Sequence, residues 1–207
     1  MGCASSANND AKWKIIFMLG SPGGGKGTQC DKIKAKYQIF HYSCGELLRE
    51  AAKEKNEQAE LINSYMKEGK IVPAKITCEL QKQCMEKNDK NYKVFLCDGF
   101  PRNLENMNFF FEVFGNDIQV LCTLFLDCPE EVCIERIMKR GENRVDDNIE
   151  TVKKRFQSLK EETLPTVEKL KKKGPVYKIK AEQTIDKCFE DIDKILSELL
   201  QLRTTPL

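Results

Sequence analysis

Apolar residues in this chain fall in short unbroken runs, and the stretches between them carry charge at helical spacing. The runs Ile15-Ile16-Phe17-Met18-Leu19 and Val94-Phe95-Leu96-Cys97, and the run over 120–126, show no polar–apolar alternation. Such runs are typical of strands buried on both faces of a parallel sheet. Shorter runs over 39–43 and 176–179 predict two more strands. Helical patterns cover 30–37 and 74–86, a third opens at Glu46-Leu47-Leu48-Arg49 with Ser43 or Gly45 near its cap, and a fourth covers 129–140. A long charged helix is expected over 149–172, broken by Gly174-Pro175, and a closing amphipathic helix over 184–202. Residues 54–68 are charged and weakly amphipathic, end at Gly69, and read as a surface flap. Strands alternating with helices predict an α/β chain, a three-layer α/β/α sandwich around a parallel sheet of about five strands. Ligands of such a sheet bind at the carboxyl ends of its strands.

Composition narrows the classes without naming one. At 207 residues, 41% hydrophobic and 32% charged, the chain fits one soluble globular domain with a large core. Acidic and basic residues are interleaved and the formal net charge is +2, so no basic stripe points to nucleic acid. No apolar run reaches the ~20 residues that span a bilayer. The ten cysteines are scattered, without a C-x-x-C pair and without a secretory leader, which points to reduced thiols in a cytoplasmic compartment. The single histidine, His41, argues against a multi-histidine metal site, and beside Phe40 and Tyr42 it reads as structural. No heptad seam argues for an oligomer.

Chemistry enters at Gly20-Ser21-Pro22-Gly23-Gly24-Gly25-Lys26-Gly27-Thr28-Gln29, which follows the first strand and opens the first helix. Strand, glycine loop and helix in that order are the context of a phosphate-cradling loop. Glycines let several N–H groups turn into one concave site, the helix start adds its positive end, and Lys26 adds a mobile charge. The pattern G-x-x-x-x-G-K-[ST] breaks at its last position, where Gly27 stands and the hydroxyl comes one later, at Thr28. At the other end of the sequence scale, Met1-Gly2-Cys3-Ala4-Ser5-Ser6 fits an acylation pattern, with Gly2 as a myristoyl acceptor and Cys3 as a second, palmitoyl site. One myristoyl chain binds membranes only marginally, so peripheral membrane contact needs both. The remaining residues of 1–13 read as a flexible leader, and 203–207 as a tail.

The arginines gain meaning on this plan. Arg49 and Arg102 follow strand ends near the phosphate loop, and Arg136, Arg140, Arg144 and Arg155 flank a short loop at 141–147. As a set they suit a site holding two anionic substrates head to head, as phosphoryl transfer requires. Here the sequence resembles the nucleoside monophosphate kinases of the adenylate kinase and UMP/CMP kinase type. The resemblance runs from 14 to 199 and rests on five motifs in order. These are the phosphate loop, Ser43-Cys-Gly-Glu-Leu-Leu-Arg49, Glu68-Gly-Lys-Ile-Val-Pro73, Asp98-Gly-Phe-Pro-Arg102 and Arg140-Gly-Glu-Asn-Arg-Val-Asp-Asp-Asn148. It accounts for Gly27, because this family carries Gly-Lys-Gly-Thr.

The resemblance implies a kinase domain over 14–202, with a monophosphate-binding flap at about 43–72 and a very short lid at 141–147. Gly23, Gly24, Gly25, Lys26, Gly27 and Thr28 would hold the ATP phosphates, Arg136 would lie against adenine, and the backbone near Gln183 would meet the same base. Arg49 and Arg102 would grip the acceptor phosphate. Lys70, Ile71, Val72, Gly99, Phe100 and Pro101 would line the acceptor site. Lys26, Arg102, Arg140, Arg144 and Arg155 would be catalytic, the last three closing over the moving group. Mg2+ would come with ATP, and Asp98 would reach it through water rather than as a direct ligand. So short a lid excludes the zinc-bearing long lid of some bacterial relatives. The family expectation is a monomer.

For the acceptor base, Asn103 and Asn106 match the UMP/CMP pattern, since adenylate kinases usually carry Gln at the second position. Cys44 stands where adenylate kinases usually have Thr and UMP/CMP kinases a small Ala, and Phe100 rather than Tyr leans the same way. An amide's reach and orientation decide which base it fits. The favoured reading is therefore a kinase for UMP and CMP, with dCMP a further candidate. An adenylate kinase, with or without a membrane tether, is the alternative. A nucleotide sensor without catalysis is a third reading, disfavoured because Lys26 and the arginines are all present. A GTPase would need Asn-Lys-x-Asp, which does not occur.

Overall fold

In a computed structural model, residues 11–139 and 148–201 are described. The apolar runs become β1 (Trp13–Gly20), β2 (Phe40–Ser43), β3 (Val94–Asp98), β4 (Ile118–Asp127) and β5 (Val176–Lys180). They stack in the order β2-β3-β1-β4-β5, and every pairing is parallel. Strands buried on both faces need two covering layers. The helices that supply them are α1 (Lys26–Lys36), α2 (Cys44–Ala51), α3 (Glu57–Lys67), α4 (Ala74–Asn88), α5 (Leu104–Phe114), α6 (Glu130–Met138), α7 (Ile149–Ser158), α8 (Leu164–Leu170) and α9 (Ile185–Gln201).

Alternation along the strands sorts the side chains into two cores. Ile16, Met18, Leu96 and Leu124 pack with Cys30 and Ile33 of α1 and with Ile192 and Leu196 of α9. Their neighbours Ile15, Phe17, Phe95 and Cys97 point the other way, onto Met85 of α4, Phe110 and Phe114 of α5 and Leu170 of α8. Phe110 is the hub of that second core, with ring centroids 5.6 Å from Phe17, 5.3 Å from Phe100 and 4.4 Å from Phe114. A third, small cluster of Leu48, Ile62 and Val72 holds α2 and α3 together as the flap. Among the described residues the cysteines are all free thiols, and all but Cys84 are buried. No described helix is long and apolar enough to cross a membrane.

The structure departs from the sequence-based expectations at three places. Helix α5 was not anticipated. Its Met107, Phe110 and Phe114 are at helical spacing, but Phe109 and Phe111 fill the gaps and blur the period. The helix expected over 149–172 is interrupted, because Leu159–Thr163 forms a π-helical turn between α7 and α8. Pro165 sits at the start of α8. It lacks the N–H that a regular α-helix would direct to the preceding turn, and a widened turn accommodates its ring. The helix expected over 129–140 is described only as Glu130–Met138.

Candidate active site

The phosphate loop leaves the carboxyl end of the central strand β1 and enters α1. Gly23 has φ 77°, and a Cβ there would run into the carbonyl oxygen of Cys133, so only glycine fits. Gly25 caps α1 with φ 87° and no side-chain hydrogen bond. Gly24 N–H donates to Ser21 O at 3.0 Å, and the first bond of the helix is Gln29 N–H to Gly25 O at 3.1 Å, so the amides of Gly25 to Thr28 are left for a ligand. Lys26 Nζ donates to the carbonyl oxygens of Gly20 (3.0 Å) and Ser21 (2.9 Å). Desolvation pulls its ammonium down to about 8, with Asp98 pulling up and Arg102 and Arg155 pushing further down.

Three clefts border this loop, and one more lies beside them under the flap. One, of about 550 Å3, lies between the loop, Arg136, Gln183 and Thr184. Arg136 is held there by a 2.8 Å bond from Nη1 to Ala181 O, and Gln29 spans from α1 to Ile185 O at 2.9 Å. A second, of about 340 Å3, runs along Gly23, Gly25 to Thr28, His41, Arg49, Asp98, Arg102 and Arg155. The third sits under the flap, lined by Cys44, Leu48, Arg49, Met66, Lys70 to Val72, Thr77, Gly99, Phe100, Asn106 and both Arg102 and Arg155. Its volume is about 40 Å3, and it opens into the neighbouring spaces through the residues they share. The fourth joins the others around Lys26, Arg102, Arg155 and the π-helical turn. Gly99, Arg102 and Arg155 line the last three of these spaces alike.

The expected residues therefore meet at one place, with exceptions. Arg140 and Arg144, the lid 141–147, Gly2 and Cys3 lie outside the described residues. Pro101 is buried beside the site, joined to Phe100 by a cis peptide bond. The expectation that Asn103 reads the acceptor base is not met by its position. Its Oδ1 caps α5 by accepting from Asn106 N–H at 2.8 Å, and its Nδ2 donates to Glu162 Oε2 at 3.2 Å. A helix start needs such a cap, and that demand takes the side chain. Asn106 differs. Its Oδ1 accepts from Arg102 N–H at 3.3 Å, while its buried Nδ2 has no partner and borders the flap cleft.

Several site residues were not foreseen. His41 lies 3.8 Å from Asp98 (Nε2 to Oδ2) on the wall of the phosphate cleft. Thr77, Leu48 and Met66 line the flap cleft. The helical patterns placed Leu48 and Thr77 on helices but not which cavity they face. Thr163, in the π-helical turn, donates to Arg102 O at 2.7 Å across 61 residues of chain, a contact no local pattern announces. Cys44 Sγ is buried 3.8 Å from Cys97 Sγ, and burial pushes its thiol well up.

Arg102 and Arg155 thus stand where the clefts meet, with Lys26 and Arg49 beside them. The family model described as adenylate kinase matches residues 18–175. The UMP-CMP kinase of Danio rerio is 42% identical over 193 residues, covering 90% of this chain and 98% of that protein. The UMP-CMP kinase of Rattus norvegicus is 44% identical over 191 residues (89% and 97%). UMP-CMP kinase 3 of Arabidopsis thaliana is 42% identical over 198 residues (95% and 96%).

Proposed function

Because the chain belongs to the adenylate kinase family, we propose that it transfers the terminal phosphoryl group of ATP to a pyrimidine nucleoside monophosphate, UMP or CMP, giving the diphosphate and ADP. The observation that carries this reading is the sharing of Gly99, Arg102 and Arg155 among the donor-phosphate cleft, the flap cleft and the space joining them. Two anions can be gripped from opposite sides there and brought into line by the same guanidinium groups.

In this reading the wide cleft at Arg136 and Gln183 receives adenine, and the loop at Gly23 to Thr28 receives the phosphates through the N–H groups of Gly25 to Thr28. Lys26 exchanges its two carbonyl acceptors for phosphate oxygens. Arg49 and Arg102 hold the acceptor phosphate, while Arg155, Arg140 and Arg144 neutralise charge on the moving group. The acceptor's own phosphate oxygen is already ionised, so no general base is needed. Asp98 fits the task of holding hydrated Mg2+. Asp98 lines the phosphate cleft, and its buried Oδ1 has no hydrogen-bond partner among the described residues. The chemistry such an ion supplies is neutralisation of charge on the ATP phosphates.

The base pocket supports a pyrimidine. Asn106 Nδ2 offers a donor, Cys44 and Thr77 are small, and Leu48, Met66 and Val72 close the sides. The test is an ADP-release assay with Mg-ATP and CMP, UMP or AMP in turn. Turnover of CMP and UMP well above AMP is the expected result. A faster rate with AMP makes the chain an adenylate kinase and overturns the pocket assignment. ATP binding without turnover of any acceptor overturns the catalytic reading.

A further inference from the structure

Cys30, His41 and Asp98 come from three different elements, α1, β2 and β3, yet their ligating atoms all lie within 4.8 Å of one another. We propose that they form a site for a thiophilic divalent cation such as Zn2+, and that its occupation switches phosphoryl transfer off. The geometry is close to what the ion needs. With Zn–S near ~2.3 Å and Zn–N near ~2.0 Å, tetrahedral ligands stand about 3.3–3.7 Å apart. His41 Nε2 and Asp98 Oδ2 are at 3.8 Å already. Two further observations point to a ligand. His41 Nε2 and Asp98 Oδ1 are both buried without a hydrogen-bond partner, which is uncommon for buried polar atoms.

Access runs through the phosphate cleft, whose wall includes His41 and Asp98, and a tetrahedral ion held by three protein atoms keeps a fourth position for water. The donor set selects the metal. Thiolate and imidazole suit zinc, whereas Mg2+ demands six oxygen ligands. On binding, the Cys30 S–H bond breaks as the sulfur–metal bond forms, and the proton leaves to water. Thiolate and carboxylate then balance the two charges of the cation. Burial holds the Cys30 thiol up and the Lys26 ammonium faces the same carboxylate, so both oppose occupation and favour a reversible site. The inhibitory consequence rests on the proposed function, because a carboxylate committed to zinc is withdrawn from the ATP-bound magnesium.

Binding is measured apart from activity. Co2+ is titrated into the full chain and followed by absorption, and Zn2+ by calorimetry and in the kinase assay. The expected result is one Co2+ per chain with a thiolate-to-cobalt charge-transfer band that Zn2+ abolishes. Zn2+ also inhibits, and a chelator restores the rate. Cys30→Ala keeps its Mg-dependent rate, loses the band and needs at least about ten-fold more Zn2+ for inhibition. Cys30→Ser serves if the alanine variant does not fold, and Cys188→Ala controls for buried thiols elsewhere. Absence of a thiolate band in the unmodified chain overturns the proposal without any variant. An unchanged band in the Cys30 variants overturns it too. A Cys30-dependent band in a chain without kinase activity supports the metal site and overturns the function instead.

Discussion

Lys26 shows how one side chain is placed between structure and ligand. It spends its donors on two backbone carbonyls, and burial among arginines lowers its ammonium to about 8. Between about 8 and the ordinary 10.5 the unfolded chain binds more protons at this lysine than the folded one. This group therefore makes stability rise with pH across that window. Bound phosphate should restore the charged form. ATP binding is expected to take up a proton above pH 8 and not below pH 7, as read by calorimetry in buffers of different ionisation enthalpy. For the same reason kcat/KM for ATP should fall as pH rises past about 8. Lys26→Met should lower kcat roughly 10²–10³-fold, the scale of losing one preorganised donor to a developing charge. The two asparagines part company. Asn106→Ala should raise KM for CMP and UMP about ten-fold or more, since its unpartnered Nδ2 borders the base cleft. Asn103→Ala should cost about 1 kcal/mol of stability as a lost helix cap, with little change in the ranking of acceptors.

At the scale of elements, the π-helical turn Leu159–Thr163 is the joint between the helix carrying Arg155 and the loop carrying Arg102. Thr163 bonds the Arg102 carbonyl and Glu162 receives Asn103, so donor-side and acceptor-side cations are held at one spacing. π-turns recur at functional sites because the widened turn redirects side chains. Thr163→Val removes the 2.7 Å bond while keeping the shape. It should raise KM for the acceptor several-fold and leave KM for ATP unchanged, which steady-state kinetics with each substrate varied separately will show. The flap is the second mobile candidate by chemistry. α2 and its neighbour α3 roof the cleft in which an acceptor would sit, the position from which a lobe closes over substrate. Their own small cluster of Leu48, Ile62 and Val72 lets them move as a unit.

Across the whole molecule, the site's precision depends on the second core. Phe110 touches Phe17 of the central strand on one side and Phe100 of the acceptor loop on the other. Phe110→Ala should cost about 3–5 kcal/mol in denaturant unfolding. It should also raise KM for the acceptor, because Phe100 loses its support. A variant that unfolds more easily yet keeps its acceptor KM would show that the loop is held by its hydrogen bonds instead.

What the sequence by itself determined was local. Contiguous apolar runs demanded a sheet covered on both faces, and a glycine loop between strand and helix demanded an anion. The five motifs then carried the family resemblance, because each motif's chemistry is carried by neighbouring residues. Helix α5 was hidden by excess phenylalanine at 109 and 111, which blurs its helical period. Tertiary structure alone decided whether Asn103 caps a helix or reads a base, and which acid its amide meets 59 residues away. It alone set His41 beside Asp98 and Cys30, a neighbourhood that needs β2 paired with β3 and α1 packed against the sheet. Such assignments are settled by competition among distant partners for each polar group, and only the packed chain brings those partners into reach.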